Sequence, residues 1–258
     1  MDSPTEPNNV VKSDQTVFAI IEYIHREGDA GVTELADSLG LAKSSVHKHL
    51  KTLAHHDYVV NDGGRYRLGL KFLTLGGRIR DGSELCQFAR ASVTELAEET
   101  NQMVSFILRD GSHGVAVFVR NDRYGLRKQV PLGNRFPLYQ NGAGKSILAA
   151  LPDDELEGVI ERTTLEAKTP NTITSVDVLR REIEEIRDRG YATSTEERVE
   201  GVQSVASAVE DRSGGTIGSL SIAGPADRLT EERLHAGYAD AVMEAANELE
   251  LRIRYSTD

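Results

Sequence analysis

Several large classes of protein are excluded by what the sequence lacks. Its 258 residues include a single cysteine, Cys86. No internal disulfide is therefore available, which fits a reducing cytoplasm, and no base or metal-type spacing surrounds the thiol. No run approaches the roughly 18 apolar residues that a membrane span needs. The opening "MDSPTEPNNVVKS" lacks the basic start and apolar middle of a signal peptide, so residues 1–13 are expected to be a flexible tail. Lysine is scarce, with eight among thirty basic residues, and net charge is −11. That balance argues against a protein that coats nucleic acid uniformly. An acidic chain with few lysines also resembles the proteins of salt-accumulating archaea, so a haloarchaeal source is expected.

The charge is not evenly spread. Residues 1–80 hold ten basic and ten acidic side chains, and the whole acidic excess lies beyond them. In that balanced segment Val17, Ile20, Ile21 and Ile24 recur at helical spacing. "GDAG" stops the helix. Thr33 is placed to cap a short second helix, "ELADSL", with Val32 and Leu35 turned inward. After the turn "GLAKS", Val46, Leu50 and Leu53 mark the buried face of a third helix. Its opposite face carries Ser44, Ser45, His47, Lys48, Lys51, Thr52 and His55, and no acid occurs from Lys43 to His56. Two helices joined by a glycine turn, the second basic and hydroxyl-rich outside, form a helix-turn-helix whose second helix enters the major groove.

"DYVVNDGGRYRLG" then gives two short strands about a hairpin turn. Arg65 and Arg67 project from the second strand with Tyr66 between them, as in a DNA-contacting wing. The candidate DNA-binding residues are Lys43, Ser44, Ser45, His47, Lys48, Lys51, Arg65 and Arg67. His55 and His56 stand at the end of the helix, where a phosphate contact and a plain surface role both remain open. A small scaffold with a solvated polar face is the plainer alternative. Against it, turn, acid-free helix and hairpin occur together. "LKFLTLGGRIRDG" is too apolar for a free linker and reads as a connecting helix over 69–82 whose apolar side meets a twin chain.

From residue 83 onward, helices flank hairpin-type strands, "MVSFILRD" with "GVAVFVRN" and "SVASAVED" with "TIGSLSIAG". The fold class is therefore α+β with an antiparallel sheet, not a parallel doubly wound one. A closing helix from about Thr230 repeats Leu234, Tyr238, Ala241, Ala245, Leu249 and Ile253.

"YQNGAGKSIL" resembles a phosphate loop, but that loop needs a glycine five residues before Gly144, and Tyr139 stands there. "LGNRFPLYQ" is broken by Pro137 and is no buried parallel strand. A nucleotide-binding enzyme using Gly142–Ser146, with an accessory DNA-binding head, is the alternative reading. Gly142, Ala143 and Gly144 still lead into a helix whose free N–H groups favour negative charge. A glycine entry needed only for packing remains open beside that. His25, His113 and His235 have no ligand-type partners, and no catalytic, cofactor or metal set is expected.

Along nearly its whole length from Ser13 the sequence resembles the IclR family of transcriptional regulators. The likeness rests on "SDQTVFAIIEYI", "GVTELADSLGLAKSSVHKHLKTLAHHDYV", "RYRLG", "PLYQNGAGKSILAALP", "TPNTIT", "LRREIEEIRDRGYATSTEERVEGVQSVASAV" and "GSLSIAGPADRLTEE", in that order. The resemblance implies a winged helix-turn-helix over 14–68, joined by the 69–82 helix to a GAF-like effector-binding domain over 83–258. It implies a cytoplasmic regulator, repressor or activator, forming a homodimer or dimer of dimers on a double-stranded, (pseudo)palindromic DNA operator and controlling metabolic, chiefly catabolic, genes. It also implies a small-molecule effector, an organic acid or sugar-derived metabolite, at Gly142, Ala143, Ser194, Ser204, Ser221 and Ala223. Some acid-sensing members carry aspartate at the position of Ser194, cysteine at Ser204 and serine at Ala223, so this pocket keeps hydroxyls and loses a carboxylate. Glu196, Glu197 and Gly201 match a turn with a structural role.

Overall fold

The computed structural model describes residues 10–82, 84–120, 130–212 and 214–256. The chain separates into two compact units, Met1–Gly82 and Ser83–Asp258. Most of the expected tail, residues 1–9, lies outside the described residues. Lys12 and Ser13, read as tail, already belong to the first helix.

In the first unit, α1 (Lys12–Glu27) buries Ile20 and Ile24, the periodic residues of its inner face. Next comes β1 (Asp29–Gly31), a three-residue strand where the sequence suggested only a stop. Helix α2 (Val32–Leu39) is capped by Gly31, not Thr33, which lies inside the helix. The Glu34 carboxylate reaches back 3.4 Å to accept the Gly31 N–H, so glutamate does the capping expected of threonine. Gly40 ends α2 in the left-handed conformation at φ 65°, and the Leu41 N–H bonds the Ala36 carbonyl. That reversal aims α3 (Lys43–His55) across α2. Val46, Leu50 and Leu53 are buried as the spacing predicts.

Strands β2 (Val59–Asp62) and β3 (Arg65–Leu68) form the expected hairpin, and β1 adds to it in the order β1-β3-β2. Tyr66 points into the core while Arg65 and Arg67 point out. Helix α4 (Lys71–Asp81) follows with no buried residue.

The second unit is built on a six-stranded antiparallel sheet, β6-β5-β4-β9-β8-β7. The chain runs through α5 (Glu84–Thr100), β4 (Met103–Asp110), β5 (His113–Arg120) and β6 (Arg135–Pro137). Leu138–Gln140 makes a 3₁₀ turn into α6 (Gly142–Ala150), followed by α7 (Asp153–Glu161) and α8 (Val176–Arg189). Then come β7 (Ala192–Thr195), β8 (Val202–Glu210) and β9 (Thr216–Pro225). Pro137 does not prevent a strand. It ends β6 on the sheet edge, opposite His113, where a missing N–H costs little.

One sheet face, with Val104, Phe106, Val205, Leu220 and Ile222, packs on α5 and the C-terminal helix. Each large side chain buried there contributes roughly 1.5–3 kcal/mol. The other face, with Ile107, Ala116 and Ala206, packs on α6, α7 and α8.

The C-terminal helix is not one regular stripe. α9 (Glu231–Arg233) leads through a π turn, Leu234–Tyr238, into α10 (Ala239–Tyr255). The buried series is Leu234, Ala239, Val242, Ala246, Leu249 and Ile253. The wide turn adds one residue between Leu234 and the next inward position. Tyr238, Ala241 and Ala245 of the expected stripe are therefore only partly buried.

Candidate functional site

Two features stand out, one in each unit. In the first, the outer face of α3 is built by the same periodicity that buries Val46, Leu50 and Leu53. Lys43, Ser44, His47, Lys48 and Lys51 are exposed on it, and Ser45 is half-buried. The first turn of the helix holds no acid, and its cap, Ala42, supplies no side-chain acceptor. Backbone N–H groups, three lysines and a serine thus lie open at one helix face, a surface suited to phosphate and base edges.

The wing divides its two arginines. Arg65 Nε donates to Asp29 Oδ1 at 2.8 Å, and Glu34 Oε2 lies 3.4 Å from Nη2. The hydrogen bond from Arg65 holds the Asp29 carboxyl below its ordinary range. This pair fastens β1 to β3. Arg67 is exposed with no acidic partner among the described residues. Geometry therefore brings six of the eight expected residues to open surface unpaired, leaves Ser45 half-buried, and ties the exposed Arg65 to Asp29 within the wing.

In the second unit, small residues line up across strands. Ser194 pairs with Ser204, Ser204 with Ala223, and Ala223 with Met103, a row across β7, β8, β9 and β4. Two residues along, on the same face, Ser221 pairs with Ser105. Side chains this small leave a cavity of about 100 Å³ under the start of α6. Ala143, Ser194, Ser204, Ser221 and Ala223 all line it, so five of the six expected effector residues converge. Gly142 does not line it. A Cβ there would stand 3.1 Å from Ser204 Oγ, so this glycine lets α6 settle against β8.

The serines of the cavity are nearly enclosed, Ser194 at 4%, Ser221 at 5% and Ser204 at 8% exposure, and their hydroxyls have no hydrogen-bond partner among the described residues. Hydroxyls that open on a cavity in this way are free to hydrogen-bond whatever fills it. Asn141 caps α6 by accepting the Gly144 N–H at 2.9 Å.

Four polar residues of the wall escaped the sequence reading: Ser105, Asn134, Asn141 and Arg198. Ser105 is found only through its register with Ser221. Arg198 sits in "EERVE", which read as a turn. The rest of the wall is apolar, including Met103, Ile107, Phe136 and Val202.

The phosphate-loop reading fails on Lys145. The residue is 1% exposed, and its ammonium lies 2.7 Å from Glu197 Oε1 and 3.2 Å from Glu182 Oε1. A lysine held by two carboxylates behind the helix has no charge left for a nucleotide. At Gly144 a Cβ would stand 2.0 Å from the Leu138 carbonyl, so close packing on the 3₁₀ turn requires glycine there. Among the described residues no cluster of histidine, cysteine, aspartate and glutamate is gathered to hold a metal. No described helix is long and apolar enough to cross a membrane.

Comparison with known proteins decides between these readings. A family model described as "Bacterial transcriptional regulator IclR C-terminal" matches residues 79–251, and one described as "IclR helix-turn-helix domain" matches residues 17–63. The chain belongs to the IclR family. It is 33% identical over 219 residues to the HTH-type transcriptional repressor AllR of Salmonella paratyphi A, covering 84% of this chain and 80% of that one. It is 32% identical over 254 residues to the HTH-type transcriptional regulator KdgR of Escherichia coli K12, covering 98% and 95%. The crystal structure of Thermotoga maritima IclR superposes with a TM-score of 0.78 at 31% identity, covering 95% of this chain and 98% of that one.

As an IclR regulator the protein binds DNA, responds to a small-molecule effector and is not an enzyme. The N-terminal helix-turn-helix with a C-terminal antiparallel α+β domain is the family architecture. These relatives are bacterial and lend no support to a haloarchaeal source.

Proposed function

We propose that residues 14–68 form the DNA-reading winged head, that residues 69–82 form the linker, and that residues 83–258 form a GAF-like effector domain. Lys43, Ser44, Ser45, His47, Lys48 and Lys51 meet the major groove and its phosphates, and Arg67 meets the neighbouring backbone. Arg65 shapes the wing through Asp29. The acid-free open face of α3, in a chain of net charge −11, is the single observation that carries this assignment.

The effector occupies the cavity on the small-residue row, against Ala143, Ser194, Ser204, Ser221 and Ala223. It is a small organic acid or sugar-derived metabolite, and the regulated genes are catabolic. Control is by population shift: the effector binds one arrangement of the domains better, and the linker helices pass the change to the heads. AllR is named a repressor, and release of the operator on effector binding is the corresponding mode here.

Two chains pair through α4 and the residue before it, where Leu70, Leu73 and Ile79 are 77%, 69% and 80% exposed. Large apolar side chains left this open are suited to an interface. A twofold pair matches a (pseudo)palindromic operator, and a dimer of dimers extends it. The protein works in the cytoplasm. Its acidic surface, net −11, still suits a salt-rich cell, in which case folding fails at low salt as screening is removed.

The test is a mobility shift on duplex DNA from upstream of the gene, with Lys48→Ala and Lys51→Ala beside the wild type. The variants are expected to lose affinity. Unchanged shifts would place the reading head elsewhere.

A further inference from the structure

Arg198 is the only charged side chain among the described residues that line the cavity. It also lines an outer cleft with His113, Arg135, Arg162 and Lys168, so it stands in the partition between the two. Its position is firmly set. The guanidinium lies 4.7 Å over the Phe136 ring, and Nη1 donates to Gln140 Oε1 at 2.7 Å. The turn that carries it is tied from outside. Thr169 Oγ1 donates to the Glu196 carbonyl at 2.7 Å and Thr172 Oγ1 to the Glu197 carbonyl at 2.5 Å.

This cation has no carboxylate partner among the described residues. The two acids beside it in sequence are both engaged elsewhere. Glu196 Oε2 accepts the Gly201 N–H at 2.6 Å, and Glu197 Oε1 accepts from Lys145 at 2.7 Å. Near α6 the buried Lys145, by contrast, is taken by two glutamates. Partial burial pulls the Arg198 pKa down, and no carboxylate offsets it. Of the five guanidinium N–H donors, the one hydrogen bond found is to a neutral amide. A planar donor fork in this state matches a carboxylate.

We propose that Arg198 is the anion anchor of the cavity and that the cavity selects a small ligand bearing a single negative charge. The ligand carboxylate meets Arg198. Its remaining oxygens meet the hydroxyls of Ser194, Ser204 and Ser221, and its carbon skeleton lies on Met103, Ile107 and Phe136. A second carboxylate finds no cation among the described lining residues, and a neutral ligand leaves Arg198 uncompensated. The volume, about 100 Å³, is below the roughly 150 Å³ of an engineered cavity that admits benzene. This inference rests on the effector-pocket reading above.

The test is calorimetric titration and thermal shift of the full chain at pH 7.5. The probes are propionate, lactate and pyruvate, their amides, and the dianions malonate and succinate. The wild type is expected to bind at least one monocarboxylate, with its amide and the dianions binding at least tenfold more weakly. Arg198→Gln should weaken that monocarboxylate tenfold or more, and Arg198→Lys should restore part of it. Far-UV circular dichroism without ligand verifies that each variant folds. Equal binding of acid and amide, preference for a dianion, no monocarboxylate binding, or unchanged affinity in Arg198→Gln each overturns the anchor. Ala223→Leu separates the two levels. A ligand that Ala223→Leu excludes but Arg198→Gln retains leaves the pocket standing without its anchor, whereas a ligand that Ala223→Leu still binds overturns the pocket itself.

Discussion

Lys145 Nζ lies 2.7 Å from Glu197 Oε1, behind the glycine entry of α6 and almost out of contact with water. The pair joins α6 to the turn that carries Arg198, and Glu182 completes it from α8. A lysine that looks from sequence like a phosphate ligand is thus a structural tie between the floor and the wall of the cavity. Removing one partner of a buried pair leaves the other charge uncompensated, which costs about 3–5 kcal/mol. Lys145→Met is expected to lower stability by about that amount in urea denaturation. Lys145→Met combined with Glu197→Gln should recover much of the loss, because no orphan charge remains. Additive losses would show that the two side chains do not act as a pair.

The same pair gives a pH dependence of known sign. Burial raises the Glu197 pKa above its ordinary 4.5, while Lys145 pulls it down less strongly. A folded-state value above the unfolded one means that the folded chain binds the extra proton. Its contribution to stability is then full below the unfolded value and lost as pH rises through the folded one. The wild type should lose stability relative to Glu197→Gln as pH is raised above 4.5. One proton limits the slope to about 1.4 kcal/mol per pH unit. Chemical denaturation across pH 4–8 checks this, and a gain of relative stability with pH would contradict it.

The wing makes a contrast between neighbours. Arg67→Ala is expected to weaken operator binding and to reduce the salt slope by about one, as for any lost phosphate contact. Arg65 is engaged with Asp29 and Glu34, so Arg65→Ala should leave the salt slope nearly unchanged. Fluorescence anisotropy at several salt concentrations separates the two. A larger slope change for Arg65 than for Arg67 would reverse the assignment.

On α4, Leu73 and Ile79 are 69% and 80% exposed. Leu73→Glu with Ile79→Glu should convert the proposed dimer to monomer in sedimentation without loss of helix content, since neither side chain is buried in its own chain. A dimer that persists at micromolar concentration would move the interface away from α4.

Gly144→Ala should destabilise the effector domain by about 1–3 kcal/mol or more, because the added methyl has only backbone to meet. Gly142→Ala should cost less, as the nearest atom is the Ser204 hydroxyl at 3.1 Å. Thermal melts compare them, and equal costs would remove the packing account of Gly144.

The head was readable in the sequence because its signals are local. Val46, Leu50 and Leu53 repeat within one helix, the missing acids are contiguous, and "NDGG" joins adjacent strands. What escaped depends on partners far along the chain. β1 pairs with β3 more than thirty residues on, which gives Arg65 an acidic partner, Asp29, that the local sequence does not show. Edge strands β6 and β7 are three and four residues long, too short to show a period. The resemblance supplied five cavity residues, but Gly142 packs beneath the wall it was expected to line. The partner of Lys145 was equally out of sight, because Glu197 lies 52 residues further along the chain.

The most direct test of the whole account is selection of bound duplexes from a random DNA pool, by the wild type and by Lys48→Ala combined with Lys51→Ala. An inverted-repeat motif enriched by the wild type and lost by the double variant is the result expected. Recovery of the same motif by the double variant, with equal affinity and equal salt dependence, would contradict it.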